Sequence, residues 1–309
     1  MTRFARLLLR RVALLIVLLA TVFAAVDLLP GSTARAVLGR DATEAAVAAK
    51  ERELGLDRAL PVRFGDWLAG VLTGDFGQSA RGRSVGELLA ETFPQTLLLG
   101  GLAFALTIAA SLAFGAWWSI RPRGALGRIL QPSTTTAVAV PEFVVATLLI
   151  LVFSLATGWL PAVTITGRSG FPISADMLVQ PVLALAIPQI GWNTRVVRAA
   201  LADAARLPHV ETAVLDGLPE RTVLTRHVLP FALPTIVASF ATTVGMLFGG
   251  ALVVETIFNY PGLGALLAAS VADRDTTLMA AVVALTGVVI MVMLAAADAV
   301  RTWALRGRI

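Results

Sequence analysis

The chain has 309 residues, 57% of them hydrophobic and only 15% charged, against about 25% charged in soluble domains. A soluble protein of this length cannot enclose that much apolar surface, so composition excludes an ordinary cytosolic domain. The absence of cysteine excludes disulfides and thiolate metal sites, and the net charge of +5 rests on arginines and one lysine, Lys50.

In chain order, an apolar stretch at 10–29 predicts a first membrane span, with Asp27 near its outer end. Arg10-Arg11 ahead of it resembles the start of a signal peptide, but no small-x-small cleavage site follows, so the reading is an uncleaved span. Residues 30–94 follow as a long mixed segment. Within it 43–54 (TEAAVAAKEREL) predicts a soluble helix with Thr43 as N-cap and Gly55 as stop. The glycines of GVLTGDFGQSARGRSVG then predict an irregular stretch. Further spans are predicted at 95–120, 133–158, 177–198, 232–256 and 277–299, each near the ~20 apolar residues a crossing needs. The predicted class is an all-α polytopic membrane protein of about six spans. Its coarse division is 1–94, one span plus an external segment, and 95–309, a five-helix core containing the loop 199–231.

Orientation follows the arginines. With both termini in the cytoplasm, the cytoplasmic segments hold 15 of the 25 cations and five acids, while 30–94 holds eight cations and nine acids. Long loops cross regardless of charge, so 30–94 is placed outside. The basic balance is thus a topology signal, and no nucleic-acid partner is predicted.

The cytoplasmic segment 209–230 reads HVETAVLDGLPERTVLTRHVLP. A short helix begins after Pro208, carries Glu211 in its first turn and stops at Gly217. Leu218-Pro219-Glu220 restarts a second helix, and Ala199–Leu207 predicts another ahead of it. Geometry leaves two readings: a solvated linker, or a rigid knob that docks on a cytoplasmic partner.

Glu211-Thr212-Ala213, Gly217 and His227-x-Leu229-Pro230 resemble the EAA–Gly loop of permease subunits of ATP-binding-cassette importers. LLPG at the first span's end, ELGLDRALPVRF (53–64), GDFGQS (74–79), VPEFVVATLLILVF (140–153), GWLP (158–161) and GGALVVETIFNYPGLG (249–264) are similar to the first permease subunit of the dipeptide/oligopeptide/nickel branch. Ser32-Thr33 depart from the usual Asp-Pro, and Val214 and Asp216 stand where basic residues are common. The resemblance implies a type I importer permease fold in a bacterial inner membrane, with an external insertion between the first two helices. It implies a second permease, cytoplasmic ATPases that bind ATP and magnesium, and an external solute-binding protein as partners, besides lipid. This chain itself would hold no cofactor. The coupling element would be Glu211, Thr212, Ala213, Gly217, His227, Leu229 and Pro230, and the cargo peptides or similar small solutes.

Few polar residues fall in the spans. Glu142 either serves a pathway or gate, pairs with a neighbouring helix, or lies at an interface. Glu255 is a second pathway or gating candidate; it either faces the binding protein or caps local backbone. Gly245 and Gly249, spaced as GxxxG, permit close helix approach and predict packing, within the chain or against a partner permease. His227, Trp192 and Asn193 read as interfacial groups. Two serine patterns, 82–86 (GRSVG) and 167–170 (GRSG), raise a hydrolase alternative, but His209 and His227 are predicted on the opposite side of the membrane. An ion-coupled secondary transporter would need midplane carboxylates and repeated halves, and Glu142 is its only basis. The lone lysine stands outside any P-loop, so ATP hydrolysis belongs elsewhere.

Overall fold

The computed structural model describes residues 3–28, 32–39, 41–121, 124–167 and 170–306, and these form helices joined by short irregular segments. They divide into two compact units: 1–96 with 261–291, and 97–260 with 292–309.

In the first unit, α1 (Arg3–Asp27) is followed by α2 (Thr33–Leu38), α3 (Glu44–Glu53) and α4 (Leu60–Thr73). The helix read at 43–54 is α3, with the Thr43 side chain accepting the Ala46 amide at 3.3 Å. Gly55 then takes φ +65 and ends it, since a left-handed residue cannot continue a helix. Phe23 of α1 meets Phe64 and Trp67 of α4, both Phe23 contacts having ring centroids 5.2 Å apart. The glycine-rich stretch is irregular over 74–84, with positive φ at Gly74, Gly77 and Gly82, whereas its ends, 70–73 and 85–86, belong to α4 and α5. The unit also takes the first part of α5 (Val85–Ile120), α12 (Leu263–Ala272) and the first part of α13 (Thr276–Arg306). Asp275 starts α13: its carboxylate accepts the Leu278 amide at 3.0 Å and, from the irregular stretch, the Ala80 amide.

The second unit is built on α8 (Asp176–Ala204), 29 residues, or about 43 Å at 1.5 Å per residue. Around it lie the rest of α5, α6 (Ala125–Ala139), α7 (Glu142–Leu149) with a π-helical continuation Ile150–Ala156, and α11 (Leu229–Ile257). Where α8 crosses α5 and α6, glycine lets backbones close. A Cβ on Gly115 would lie 2.7 Å from Val197 Cβ, and one on Gly191 2.9 Å from Ala137 Cβ. Arg198 stacks over Trp118, 4.2 Å from its ring centroid.

Two expected elements differ. The span read at 133–158 is two helices, 127–139 and 142–156, bent by 108°. Val140 before Pro141 is extended (φ −92, ψ 120), because the proline ring disfavours helix at the preceding residue and Pro141 has no amide to bond back. The cytoplasmic helix read at 199–207 is the continuation of α8 to Ala204, there being no breaker between span and loop. Among the described residues four helices are long and apolar enough to cross a bilayer, and the bent pair makes a fifth if counted as one span. The remaining predicted crossing is α8, which has the length but carries Gln180, Gln189, Asn193, Arg195 and Arg198.

Candidate functional site

The segment between α8 and α11 folds into one two-faced projection. Leu207 is extended, Pro208 opens α9 (Pro208–Leu215), and Glu211 sits in its first turn, where a negative charge suits the helix dipole. Gly217, at φ +73, accommodates the left-handed turn without a Cβ penalty. The Gly217 amide donates to the Val214 carbonyl at 3.0 Å and the Leu218 amide to the Ala213 carbonyl at 3.2 Å. This pair of bonds is a complete Schellman stop. Pro219 then caps α10 (Glu220–Thr222), a π-helical turn spans Val223–Val228, and α11 follows.

The inner face of the projection is anchored. Val210 and Ala213 are buried with Val223 and Val228 against Val197 and Leu201 of α8 and Ala232 and Ile236 of α11. His209 Nε2 lies 3.0 Å from the His227 carbonyl, and its ring is 4.3 Å from that of Phe231. The outer face is open: Val214, Leu215 and Leu218 are 59%, 80% and 38% exposed. Exposed carboxylates of Glu211, Asp216 and Glu220 surround them. Of the seven sequence-predicted residues, Glu211, Thr212 and Gly217 are exposed and Ala213 faces inward. His227, Leu229 and Pro230 form the half-buried base. The sequence reading missed the apolar tip, although Val214-Leu215 beside a helix-ending glycine was a visible signal for it.

Glu142 is half-buried and opens α7 directly after Pro141. It packs on α11, where a Cβ on Gly250 would lie 3.3 Å from Glu142 Cγ. Beside the α6–α7 bend lies an apolar cleft of about 570 Å³ walled by Val140, Val145, Leu149, Phe153 and Ile187. Glu255 is fully buried, and the Tyr260 amide closes onto its carbonyl at 2.7 Å. Burial, and then the Glu255 carboxylate, raise the Tyr260 phenol above its ordinary value. So enclosed, Glu255 has no open face toward an external protein.

Of the GxxxG pair, Gly249 has no packing partner within this chain. A Cβ on Gly249 would meet nothing within 4 Å, and Gly249 is exposed. The buried stripe of α11 runs through Ile236, Phe240, Val244, Leu247, Ala251 and Val254, and Gly249 falls off it. The reading of Asn193 is corrected: far from anchoring an interface, it is 1% exposed. Its Nδ2 donates to Thr243 Oγ1 at 2.8 Å and to the Gln189 carbonyl at 2.9 Å, and its Oδ1 accepts Ser239 Oγ at 2.7 Å. Its neighbour Trp192 is 43% exposed.

Ser84 of the first serine pattern caps α5, its Oγ accepting the Glu87 amide at 3.4 Å. It lacks the strand-turn-helix setting of a nucleophile. Arg168-Ser169 of the second pattern lie outside the described residues. Among the described residues no group of His, Cys, Asp or Glu has the makings of a metal site.

Comparison with known proteins meets this geometry. Residues 99–308 match the family described as the binding-protein-dependent transport system inner membrane component, and 1–93 match its N-terminal counterpart. A probable peptide ABC transporter permease protein of Sinorhizobium fredii is 31% identical, over 85% of each chain. A glutathione transport system permease protein of Pectobacterium atrosepticum is 33% identical, over 88% of this chain and 87% of its own. In fold, the chain is similar to a MetNI methionine ABC transporter captured inward facing. There the TM-score is 0.55 at 18% identity, over 70% of this chain and 96% of that one.

Proposed function

We propose how this chain works from one premise: it belongs to the family of binding-protein-dependent transport system inner membrane components, and it is the permease component of an ABC importer. The α9 tip docks into a cytoplasmic ATP-hydrolysing subunit, and closure of that subunit on ATP rocks α8 and α11 between inward and outward states. Docking through Glu211 to Gly217 is supported above all by the two-faced build of the projection. One face is locked into the core through Val210 and Ala213, and the other leaves Val214, Leu215 and Leu218 uncovered. A solvated linker has no reason to present three apolar side chains to water on a rigid turn.

The remaining roles fall to partners. A second permease completes the pathway, and an external binding protein delivers the solute. ATP and magnesium sit on the ATPase subunits. Lys50, the only lysine, stands between Ala49 and Glu51 and not in the Gly-Lys-Ser/Thr of a phosphate-binding loop, and it is tied to Glu53 at 2.7 Å on α3. Both termini lie in the cytoplasm. The cargo is a peptide or similar small solute, as the names of the two relatives suggest. Glu142, at the elbow near the apolar cleft, is the proposed pathway residue, since ionisable groups within spans commonly mark a substrate pathway.

The test is solute uptake into vesicles holding the purified complex, with mass spectrometry of its subunits. ATP-dependent uptake with P-loop subunits present is expected. Uptake driven by a proton or sodium gradient without them would sink the reading.

A further inference from the structure

We propose that Asn193 is a positioning residue that locks α8 to α11 inside the membrane, so that a push on the α9 tip moves both helices as one lever. The proposal rests on reading α9 as the docking element.

An asparagine amide has two donors and an acceptor oxygen, and Asn193 uses both sides of it. Nδ2 reaches Thr243 Oγ1 at 2.8 Å, and Oδ1 takes Ser239 Oγ at 2.7 Å, so two bonds cross from α8 to α11. The Thr243 hydroxyl in turn donates to the Ser239 carbonyl at 3.1 Å. Asn193 and Thr243 are 1% and 0% exposed, so water cannot replace these partners. Ser239 and Thr243 are one turn apart on α11, which aims both at a single side chain.

Between this clasp and the α9 tip the two helices meet in an apolar layer that includes Val197, Leu201, Ala232 and Ile236. Apolar contact is non-directional and tolerates sliding. A slide of one residue, ~1.5 Å, would stretch and misalign the cross-helix bonds, and a buried polar atom whose bond weakens has no water to turn to. The clasp therefore fixes the register that the apolar layer leaves loose. Near the cytoplasmic end, His209 bonding to the His227 carbonyl holds α9 against the base of α11.

The test places spin labels at Val179 and Val253, exposed positions near the external ends of α8 and α11; the chain has no native cysteine to interfere. Their separation is measured in the complex with its ATPase subunits, nucleotide-free and trapped with ATP and vanadate. In the parent chain the distance should stay fixed on trapping. In Asn193→Leu it should shift by at least ~1.5 Å or split into two populations. The exchange Asn193→Thr with Thr243→Asn, which rebuilds the bond from the other helix, should bring the fixed distance back. If Asn193→Leu does not assemble, Ser239→Ala removes a single bond and should give a smaller shift. A parent distance that changes on trapping overturns the proposal, and so does an unmoved distance in Asn193→Leu (or in Ser239→Ala, where that variant stands in), or an exchange variant that behaves like Asn193→Leu. Failure of the docking reading is separately visible: ATPase subunits would then stay bound to a Leu215→Ser chain.

Discussion

The Leu218 amide donates to the Ala213 carbonyl at 3.2 Å across Gly217, and this bond closes α9 just after a turn in which Ala213 faces the core and Leu215 faces out. The turn depends on a backbone conformation, φ +73 at Gly217, that L-residues other than glycine adopt at a cost of about 1–2 kcal/mol.

Substitutions at Gly217 should therefore separate insertion from coupling. A Cβ there would meet nothing within 4 Å, so Gly217→Ala carries only the conformational cost, about 1–2 kcal/mol, and keeps transport. Gly217→Pro cannot reach positive φ and loses the amide that bonds Val214. It should insert normally, and its complex with the ATPase subunits should hydrolyse ATP without moving solute, as read by ATPase and uptake assays side by side. Normal uptake in that variant would remove the coupling role from the loop.

The tip carries three exposed acids and no cation from Glu211 to Glu220, so its partner groove should have a basic rim. Asp216→Arg should weaken retention of the ATPase subunits several-fold during purification, and retention by the parent chain should fall as salt is raised. Leu215→Ser should weaken it regardless of salt. Pull-down at two ionic strengths distinguishes the two effects.

Glycines predicted and observed to pack give opposite expectations. Gly191→Ala would place a Cβ 2.9 Å from that of Ala137 and 3.0 Å from the Thr134 carbonyl, and should destabilise by about 1–3 kcal/mol. Gly249→Ala has open space and should be neutral or gain up to about 1 kcal/mol of helix propensity. Thermal unfolding of the detergent-solubilised chain measures both. A loss at Gly249 that appears in the assembled complex and not in the isolated chain would show that a partner chain packs there.

In the first unit, Asp273 pairs with Arg81 through two bonds of 2.6 and 2.7 Å, and the Arg81 hydrogen bond holds its carboxyl below the usual value. A carboxyl depressed on folding adds stability above its unfolded pKa, near 3.9, and loses it as pH falls through the folded value. Asp273→Asn should therefore be less stable than the parent at pH 7, with the gap closing below about pH 4. Asp275 differs: burial raises its carboxyl, so its titration favours folding at low pH and that share fades as pH rises through the folded value. As a helix cap and the acceptor of the Ala80 amide, Asp275 should cost about 1–3 kcal/mol on change to Ala. Thermal melts across pH check both residues.

Helix existence and the caps were legible because their causes are local. Thr43, Gly55 and Gly217 act on amides and carbonyls within five residues, and apolar runs identify their helices by length alone. The same locality explains the misreadings. Pro141 announced a break, but a bend of 108° depends on what α6 and α7 pack against. Nothing between Val197 and Ala204 signalled an end, so the reading stopped α8 at the membrane edge while the helix ran on.

The sequence by itself determined the class of molecule, the order of its helices and the shape of the α9 turn. Tertiary structure alone decided that Gly191 and Gly250 pack while Gly249 faces open space, that Glu255 is enclosed, and that Asn193 joins two helices. The reason is physical. A helix apolar on every side has no amphipathic stripe to reveal its buried face, so only its neighbours decide which residues touch. A polar residue in such a helix states that it needs a partner, but the partner lies 46 and 50 residues away, at Ser239 and Thr243.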